Sequence, residues 1–152
     1  VPMRPVRGQM LALEAPGLIH HALFAPGGCL IPQADGTVMV GSTEEDAGFQ
    51  SGNTAEGIQQ LLRFATHLVP ALGDKPLDST WSGLRPAAAD GLPILGAVPG
   101  WRNLHIASGH FRKGILLTPI TADWMSNSIL RGEIAPGMEA FSPGRLLDAV
   151  NI

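Results

Sequence analysis

Residues 31–42 read IPQADGTVMVGS and place an Asp-Gly pair between two β-prone runs. Asp and Gly accept the backbone angles that tight hairpin turns require, so the pair predicts a turn at Ala34-Asp35-Gly36. The residues from Thr37 to Ser42 then form a strand that pairs with the apolar run before the turn. The chain is therefore predicted to contain an antiparallel β-hairpin.

The segments on either side of this hairpin carry further strand and helix signals. Pro5–Leu13 and Leu77–Leu84 alternate well enough between apolar and polar residues to predict two more strands. Between them, apolar residues recur at helical spacing and predict an amphipathic helix over Asn53–Val69. Glu56 follows Asn53 by three residues, which favours a capping box with Asn53 as the N-cap.

The last third of the chain predicts a loop, a strand and a helix. Ala87–Pro99 is loop-like, and Leu104–Ser108 predicts a short strand. A second helix is expected from Gly114 or Ile115 to about Leu130, ending at Gly132. Together these elements predict an α+β fold, with an antiparallel or mixed sheet and two main helices, in a single compact unit over residues 1–152.

Composition restricts the class of protein. The chain has 152 residues, enough for one domain, and its 19 Gly and 13 Pro favour many short elements over a helical bundle. The net charge of -3 argues against nucleic-acid binding, and the single Cys argues against a disulfide framework. The chain has no apolar run long enough to span a membrane. We therefore expect a cytoplasmic protein with neither nucleic acid nor membrane as partner. The start at Val1 rather than Met favours a fragment.

Residues 108–115, SGHFRKGI, predict a strand end, a Gly-bounded turn and a helix start. This order places backbone N–H groups and the positive end of a helix dipole at one point, which favours an anion or a polarised carbonyl oxygen. Arg112 and Lys113 add positive charge there. The alternative is an ordinary strand-to-helix connection with its basic residues in solvent, and the pattern taken alone favours that alternative.

Arg85 is the second candidate for binding an anion. It lies at a strand end between Leu84 and Pro86, where its planar guanidinium can bind a carboxylate through two hydrogen bonds. An ion pair with a structural acid such as Asp90 explains it equally well. The sequence contains no zinc-protease motif, no Gly-x-Ser-x-Gly elbow and no Gly-x-Gly-x-x-Gly fingerprint, so zinc catalysis and elbow-type serine catalysis have no support. We predict no metal site and assign no catalytic side chain.

Six short motifs occur in the order in which one enzyme family carries them. They are Pro5-Val6-Arg7-Gly8-Gln9, Ile31-Pro32 with Asp35-Gly36, Val40-Gly41-Ser42-Thr43-Glu44, Trp81-Ser82-Gly83-Leu84-Arg85-Pro86, Asp90-Gly91-Leu92-Pro93-Ile94-Leu95-Gly96, and Gly109-His110-Phe111-Arg112-Lys113-Gly114-Ile115-Leu116-Leu117. This succession resembles the C-terminal portion of the FAD-dependent amine oxidases of the D-amino-acid oxidase group. Within that group it is most similar to the glycine oxidases of thiamine biosynthesis. The resemblance covers roughly Pro5 to Leu130.

The resemblance implies roles for particular residues. The Arg of the Gly-Leu-Arg-Pro motif, here Arg85, would hold the substrate carboxylate, and the Arg of the Gly-His-Phe-Arg motif, here Arg112, would also face the substrate. The run His110–Leu116 would lie along the flavin ring of FAD. Its backbone N–H groups and the helix start would stabilise negative charge on the reduced flavin. The residues of that cofactor segment are His110, Phe111, Arg112, Lys113, Gly114, Ile115 and Leu116.

The resemblance also implies a domain division and an activity. Residues 1–99 would form the substrate-domain sheet and helix, and residues 100–152 would form a strand, a helix and a tail that complete the FAD domain. The implied reaction oxidises a small amino acid, such as glycine or sarcosine, to an imine with hydride transfer to the flavin.

The chain departs from the family pattern in two respects. Cys29 stands where family members commonly have a Tyr, and Gln33 stands where an Arg often follows the Pro that is here Pro32. Both differences bear on which amine is oxidised. The nucleotide-binding half of the family is missing from the sequence, so FAD is not expected to bind this chain alone. The alternative to an oxidase is therefore a catalytically silent fragment, or a binding or assembly module that forms a homo-oligomer or pairs with a separate nucleotide-binding chain.

Overall fold

Seven strands and two long helices form most of the chain in the computed structural model, which describes residues 2–147. The strands are β1 (Met3–Glu14), β2 (Leu23–Ala25), β3 (Gly28–Pro32), β4 (Thr37–Gly41), β5 (Leu77–Ala88), β6 (Ile94–Ala97) and β7 (His105–Ser108). The helices are α1 (Ala55–Leu68), α2 (Gly114–Arg131) and the short α3 (Gly144–Leu147).

The described residues form two compact units. One is Val6–Leu84, and the other combines residues 2–5 with residues 85–147, so that β1 and β5 contribute to both. The division predicted at residue 99 concerns the fold of the longer family members, and it stays a prediction.

A sheet of strand order β2-β3-β4-β1-β5 forms the frame of the Val6–Leu84 unit. The predicted hairpin is confirmed, since β3 and β4 pair antiparallel with Ile31 opposite Met39. At the turn, the carboxylate of Asp35 accepts hydrogen bonds from the backbone N–H of Thr37 (2.9 Å) and from its hydroxyl (2.8 Å). These bonds, the backbone one foremost, lower the pKa of Asp35. Gly36 takes a φ of 89°, as such turns require.

Helix α1 buries its apolar side in the core of this unit. Leu61 and Ala65 of the helix are fully buried, and they belong to one cluster with Leu11, Leu30 and Val40 of the sheet. The helix predicted over Asn53–Val69 is therefore confirmed. The predicted cap is wrong by one residue, because the Thr54 hydroxyl accepts the hydrogen bond from the N–H of Gly57.

A buried glutamine explains why the helix is capped at Thr54. Gln9 of β1 is fully buried, and its Oε1 accepts from the backbone N–H of Thr54 at 2.7 Å. Its Nε2 donates to the Thr54 hydroxyl (3.0 Å) and to the carboxylate of Glu45 (2.8 Å). A residue distant in sequence thus determines the first residue of the helix. We call the connected side chains the Gln9 network: Arg7, Gln9, Thr43, Glu45 and Thr54.

The second unit contains an antiparallel strand pair that the sequence analysis did not predict. Strand β6 pairs with β7, with Ile94 opposite Ser108, so the prediction of a loop throughout Ala87–Pro99 is wrong. Ile94 and Leu95 are buried, and they pack in two small apolar clusters. The Gly and Pro residues around β6 give this segment a low local propensity for strand. Pairing with β7 stabilises the strand instead.

The strand predicted over Leu104–Ser108 and the second helix are confirmed. Helix α2 begins at Gly114, and Gly132 ends it in the left-handed conformation with a φ of 70°. Both sheets pair antiparallel and two helices dominate, which confirms the α+β class.

Candidate functional site

The two segments that carry the predicted arginines meet at a single bridge. Ala87, near the end of β5, forms an isolated antiparallel bridge with His110, which follows β7. Arg85 precedes Ala87 by two residues and Arg112 follows His110 by two, and two residues of chain span at most about 7 Å. The structure thus brings the backbones of both arginines near this bridge in the second unit, with Arg85 half-buried and Arg112 exposed. Their binding of a carboxylate stays a prediction.

The turn between β7 and α2 depends on Gly109. Its φ is 76°, and a Cβ there would lie 3.3 Å from the Cβ of Ala88. Phe111 takes a φ of 52°, a conformation that L side chains seldom adopt. The Nε2 atom of His110 lies 3.0 Å from the hydroxyl of Thr121, within hydrogen-bond distance. A constrained backbone and a side-chain hydrogen bond to α2 therefore fix the turn.

Helix α2 begins without a side-chain cap among the described residues. The N–H groups of its first turn have no partners within the helix, and they form the positive end of its dipole. The side chains of Ile115 and Leu116 are 94% and 77% exposed, and those of Arg112 and Lys113 are exposed beside them. Backbone donors, positive charge and apolar side chains together suit an aromatic ring system that carries negative charge at one edge.

A cavity of about 700 Å³ opens at this turn. Its walls include residues 91–93, residues 110–113 and Trp124 of α2. Small-molecule and cofactor sites have volumes of this order and largely apolar walls. Four of the seven residues predicted to face the cofactor line the cavity, and the remaining three, Gly114, Ile115 and Leu116, form the first turn of α2.

Asp90 is paired with Arg145, which the sequence analysis did not single out. The Nε of Arg145 donates to Asp90 Oδ2 at 2.7 Å, and its Nη2 donates to Oδ1 at 3.2 Å. These hydrogen bonds hold the pKa of Asp90 below its usual value. The acid considered as a structural partner for Arg85 is thus engaged by a different arginine. No motif marks Arg145, which lies 55 residues from its partner.

The two residues that depart from the family pattern lie in the other unit. Cys29 is half-buried within β3. Gln33 follows that strand, and its amide donates to the carbonyl groups of residues 31 and 32 at 3.4 and 3.3 Å. Their effect on the choice of amine stays a prediction.

Residues 2–147 show neither a candidate metal centre nor a membrane-spanning helix. They contain no group of three or more His, Cys, Asp and Glu side chains placed to hold a metal ion. Within that same part of the chain, no helix combines the length and the apolar character needed to cross a membrane.

Comparison with known proteins gives matches over nearly all of the chain. A family model described as FAD dependent oxidoreductase matches residues 1–128. The bifunctional protein ThiO/ThiG of Synechocystis sp. is 45% identical over an alignment of 157 residue positions, which covers 99% of this chain and 24% of that protein. The glycine oxidase of Geobacillus kaustophilus is 36% identical over 150 residues, which cover 97% of this chain and 40% of that protein.

A solved structure extends the sequence match to the fold. The crystal structure of glycine oxidase from Geobacillus kaustophilus aligns with a TM-score of 0.88 and 35% identity, over 93% of this chain and 39% of that one. The chain therefore spans about a quarter to two fifths of the length of these relatives.

Proposed function

The chain belongs to the family of FAD-dependent oxidoreductases, of the D-amino-acid oxidase type, and from this membership we propose that it supplies the substrate-binding surface and part of the flavin-binding surface of an amine oxidoreductase. The proposed reaction converts a small amino acid, such as glycine or sarcosine, to the imine. The names of the relatives support this substrate class, since one is a glycine oxidase. The observation that carries the proposal is the Ala87–His110 bridge, which holds the segments of Arg85 and Arg112 at the start of α2.

Two guanidinium groups would bind the carboxylate of the substrate. Arg85 is half-buried, so its charge-assisted hydrogen bonds compete less with water than those of the exposed Arg112. A carboxylate bound by both would have a fixed orientation, which in turn fixes the direction of the Cα–H bond. No side chain in this scheme abstracts a proton, provided that the substrate amine arrives neutral. The contribution of this chain is therefore positioning.

The residues at the start of α2 fit a flavin. FAD supplies the hydride acceptor when it is bound. The N–H groups of the first turn and the positive helix end would stabilise negative charge at the ring edge. The exposed side chains of Ile115 and Leu116 would lie against an apolar surface, and the hydrogen bond of His110 to Thr121 would keep the turn in place.

Flavin reduction by amino acids tests the proposal. The protein in its full natural length is purified, its visible spectrum gives the amount of bound FAD, and glycine or sarcosine is added without oxygen. We expect the flavin absorbance to bleach with both amino acids and a simple carboxylate such as acetate to slow the bleaching. Bound FAD that no small amino acid reduces would refute the substrate class, and a protein that binds no FAD would refute the whole proposal.

A second candidate is a binding or assembly module without its own catalysis. The observation in its favour is the exposure of Ile115, Leu116 and Leu130 on α2, at 94%, 77% and 80%. A separate nucleotide-binding chain or a second copy would cover such side chains. Mixing the 152-residue chain with FAD tests this second candidate, because stoichiometric flavin binding by the chain alone would exclude the silent module.

A further inference from the structure

Arg145 of α3 binds one carboxylate and three backbone carbonyl groups. Besides its two bonds to Asp90, its Nη2 donates to the carbonyl oxygens of Leu92 (2.9 Å) and Pro93 (3.0 Å). Its Nη1 donates to the carbonyl oxygen of Ser142 at 3.0 Å. All three nitrogens of the guanidinium are therefore engaged, and the side chain is only 18% exposed.

Four of these five bonds converge on the loop of residues 90–93. Asp90 shapes the same loop, because its Oδ1 also accepts from the N–H of Leu92 at 3.1 Å. Gly91 takes a φ of 75°, which completes the turn. Residues 91–93 line the 700 Å³ cavity together with Arg112, whereas Arg145 is not among the lining residues. Arg145 thus binds two residues of the cavity wall, Leu92 and Pro93, and also Asp90, which shapes the same loop.

We propose that Arg145 is a positioning residue of the candidate site. Through Asp90 and the carbonyl groups of Leu92 and Pro93 it sets the cavity wall that residues 91–93 share with Arg112, and it thereby sets the affinity for the amino-acid substrate. The part that concerns affinity rests on the proposed function, whereas the part that concerns the loop does not. Arg145 also lies beyond residues 1–128, so the family match does not supply this role.

The chemistry of the side chain requires arginine at this position. A guanidinium offers five N–H donors in one plane, which allows two bonds to a carboxylate and further bonds to carbonyl groups at the same time. A lysine keeps the charge but presents a single ammonium, so it cannot span Asp90, Leu92 and Pro93 together. Arg145→Lys therefore separates loop positioning from charge.

The test compares Arg145→Lys and Asp90→Asn with a matched control in the protein of full natural length. The control is Arg63→Lys. Arg63 forms a 3.3 Å ion pair with Glu56, and both of these side chains are exposed. We expect both test variants to raise KM for the amino acid about tenfold, with kcat changed less than about twofold, because bonds to a charged group are lost. Hydrogen exchange of a peptide containing residues 90–95 is expected to accelerate about tenfold. The control is expected to leave KM and the exchange rate unchanged. Combining Asp90→Asn with Arg145→Lys should change KM and the exchange rate little beyond the effect of Arg145→Lys alone.

Each outcome decides a different part of the inference. A lower melting temperature with unchanged KM and unchanged exchange would assign Arg145 a merely structural role and overturn the proposal. If Arg145→Lys does not fold, Asp90→Asn provides the same two readouts. If the wild-type protein oxidises no amino acid, the proposed function and the effect on affinity both fail, while faster exchange in the variants would still establish the positioning of the loop.

Discussion

Arg85 is the residue whose replacement is most informative about the proposed chemistry, because it is half-buried and lies within the paired strand β5, three residues before its end. Arg85→Lys keeps the charge and loses the planar pair of donors. We expect KM for glycine or sarcosine to rise by about tenfold to a hundredfold, with a smaller change in kcat, in steady-state kinetics of the full natural protein. Arg131→Lys, in the exposed last turn of α2, is the control. Wild-type kinetics for Arg85→Lys would contradict the assigned role.

Glu45 gives a prediction about pH. Burial raises the pKa of its carboxyl, but hydrogen bonds from Thr43, Arg7 and Gln9 outweigh burial, so the pKa lies below its usual value. The contribution of Glu45 to stability is therefore present above its unfolded pKa and is lost as the pH falls through the lower folded pKa. We expect Glu45→Gln to lower the free energy of unfolding by about 1–3 kcal/mol at neutral pH.

Thermal unfolding between pH 7 and about pH 3 measures this dependence. The gap in melting temperature between wild type and Glu45→Gln should narrow as the pH falls, because the wild-type carboxylate becomes protonated. Glu56→Gln is the matched control, since Glu56 has an exposed ion pair with Arg63. Two parallel curves for wild type and Glu45→Gln would show that the ionisation of Glu45 does not stabilise the fold.

At the scale of elements, the position of α1 depends on the absence of a side chain at Gly57. A Cβ there would lie 2.3–2.5 Å from the amide atoms of Gln9, which its hydrogen bonds to Thr54 and Glu45 hold in place. Ala favours helices over Gly by about 1 kcal/mol, yet Gly57→Ala is expected to destabilise the protein by about 1–3 kcal/mol.

Chemical unfolding of Gly57→Ala in two backgrounds tests that explanation. In the Gln9→Ala background the obstructing amide is gone, so Gly57→Ala should become neutral or stabilising. An equal loss of stability in both backgrounds would mean that Gln9 is not the cause.

Local signals predicted the elements whose determinants are close together in sequence. The hairpin depends on Asp35 and Gly36, and the end of α2 depends on Gly132, so short windows of sequence were sufficient. The N-cap of α1 depends on Gln9, 45 residues away, which no local pattern contains. Strand β6 likewise depends on pairing with β7. The candidate site shows the same division, because its turn was predicted from residues 108–115, whereas Arg145 binds the cavity loop at Asp90, 55 residues away in sequence.

At the scale of the whole molecule, α2 differs from α1 in how little of it is covered. Of its 18 residues only Met125 is buried in the described chain, although its sequence is largely apolar. Ile115 and Leu116 near its start and Leu130 near its end are strongly exposed. This chain covers 40% of the glycine oxidase and 24% of the ThiO/ThiG protein. These two relatives are therefore about two and a half and four times as long as the part that matches. An apolar helix surface exposed to this extent favours contact with another surface.

The isolated 152-residue chain should consequently associate with itself. We expect a dimer or a larger oligomer by light scattering, because exposed apolar side chains along one helix favour association. The variant Ile115→Glu/Leu130→Lys adds charges of the signs that stabilise the two ends of α2, so the helix remains while the apolar surface is lost. This variant should shift the chain towards monomer. Phe49→Lys, which removes a side chain that is 85% exposed in the Val6–Leu84 unit, should leave the assembly unchanged. A wild-type monomer, or dissociation by Phe49→Lys alone, would show that α2 does not drive association.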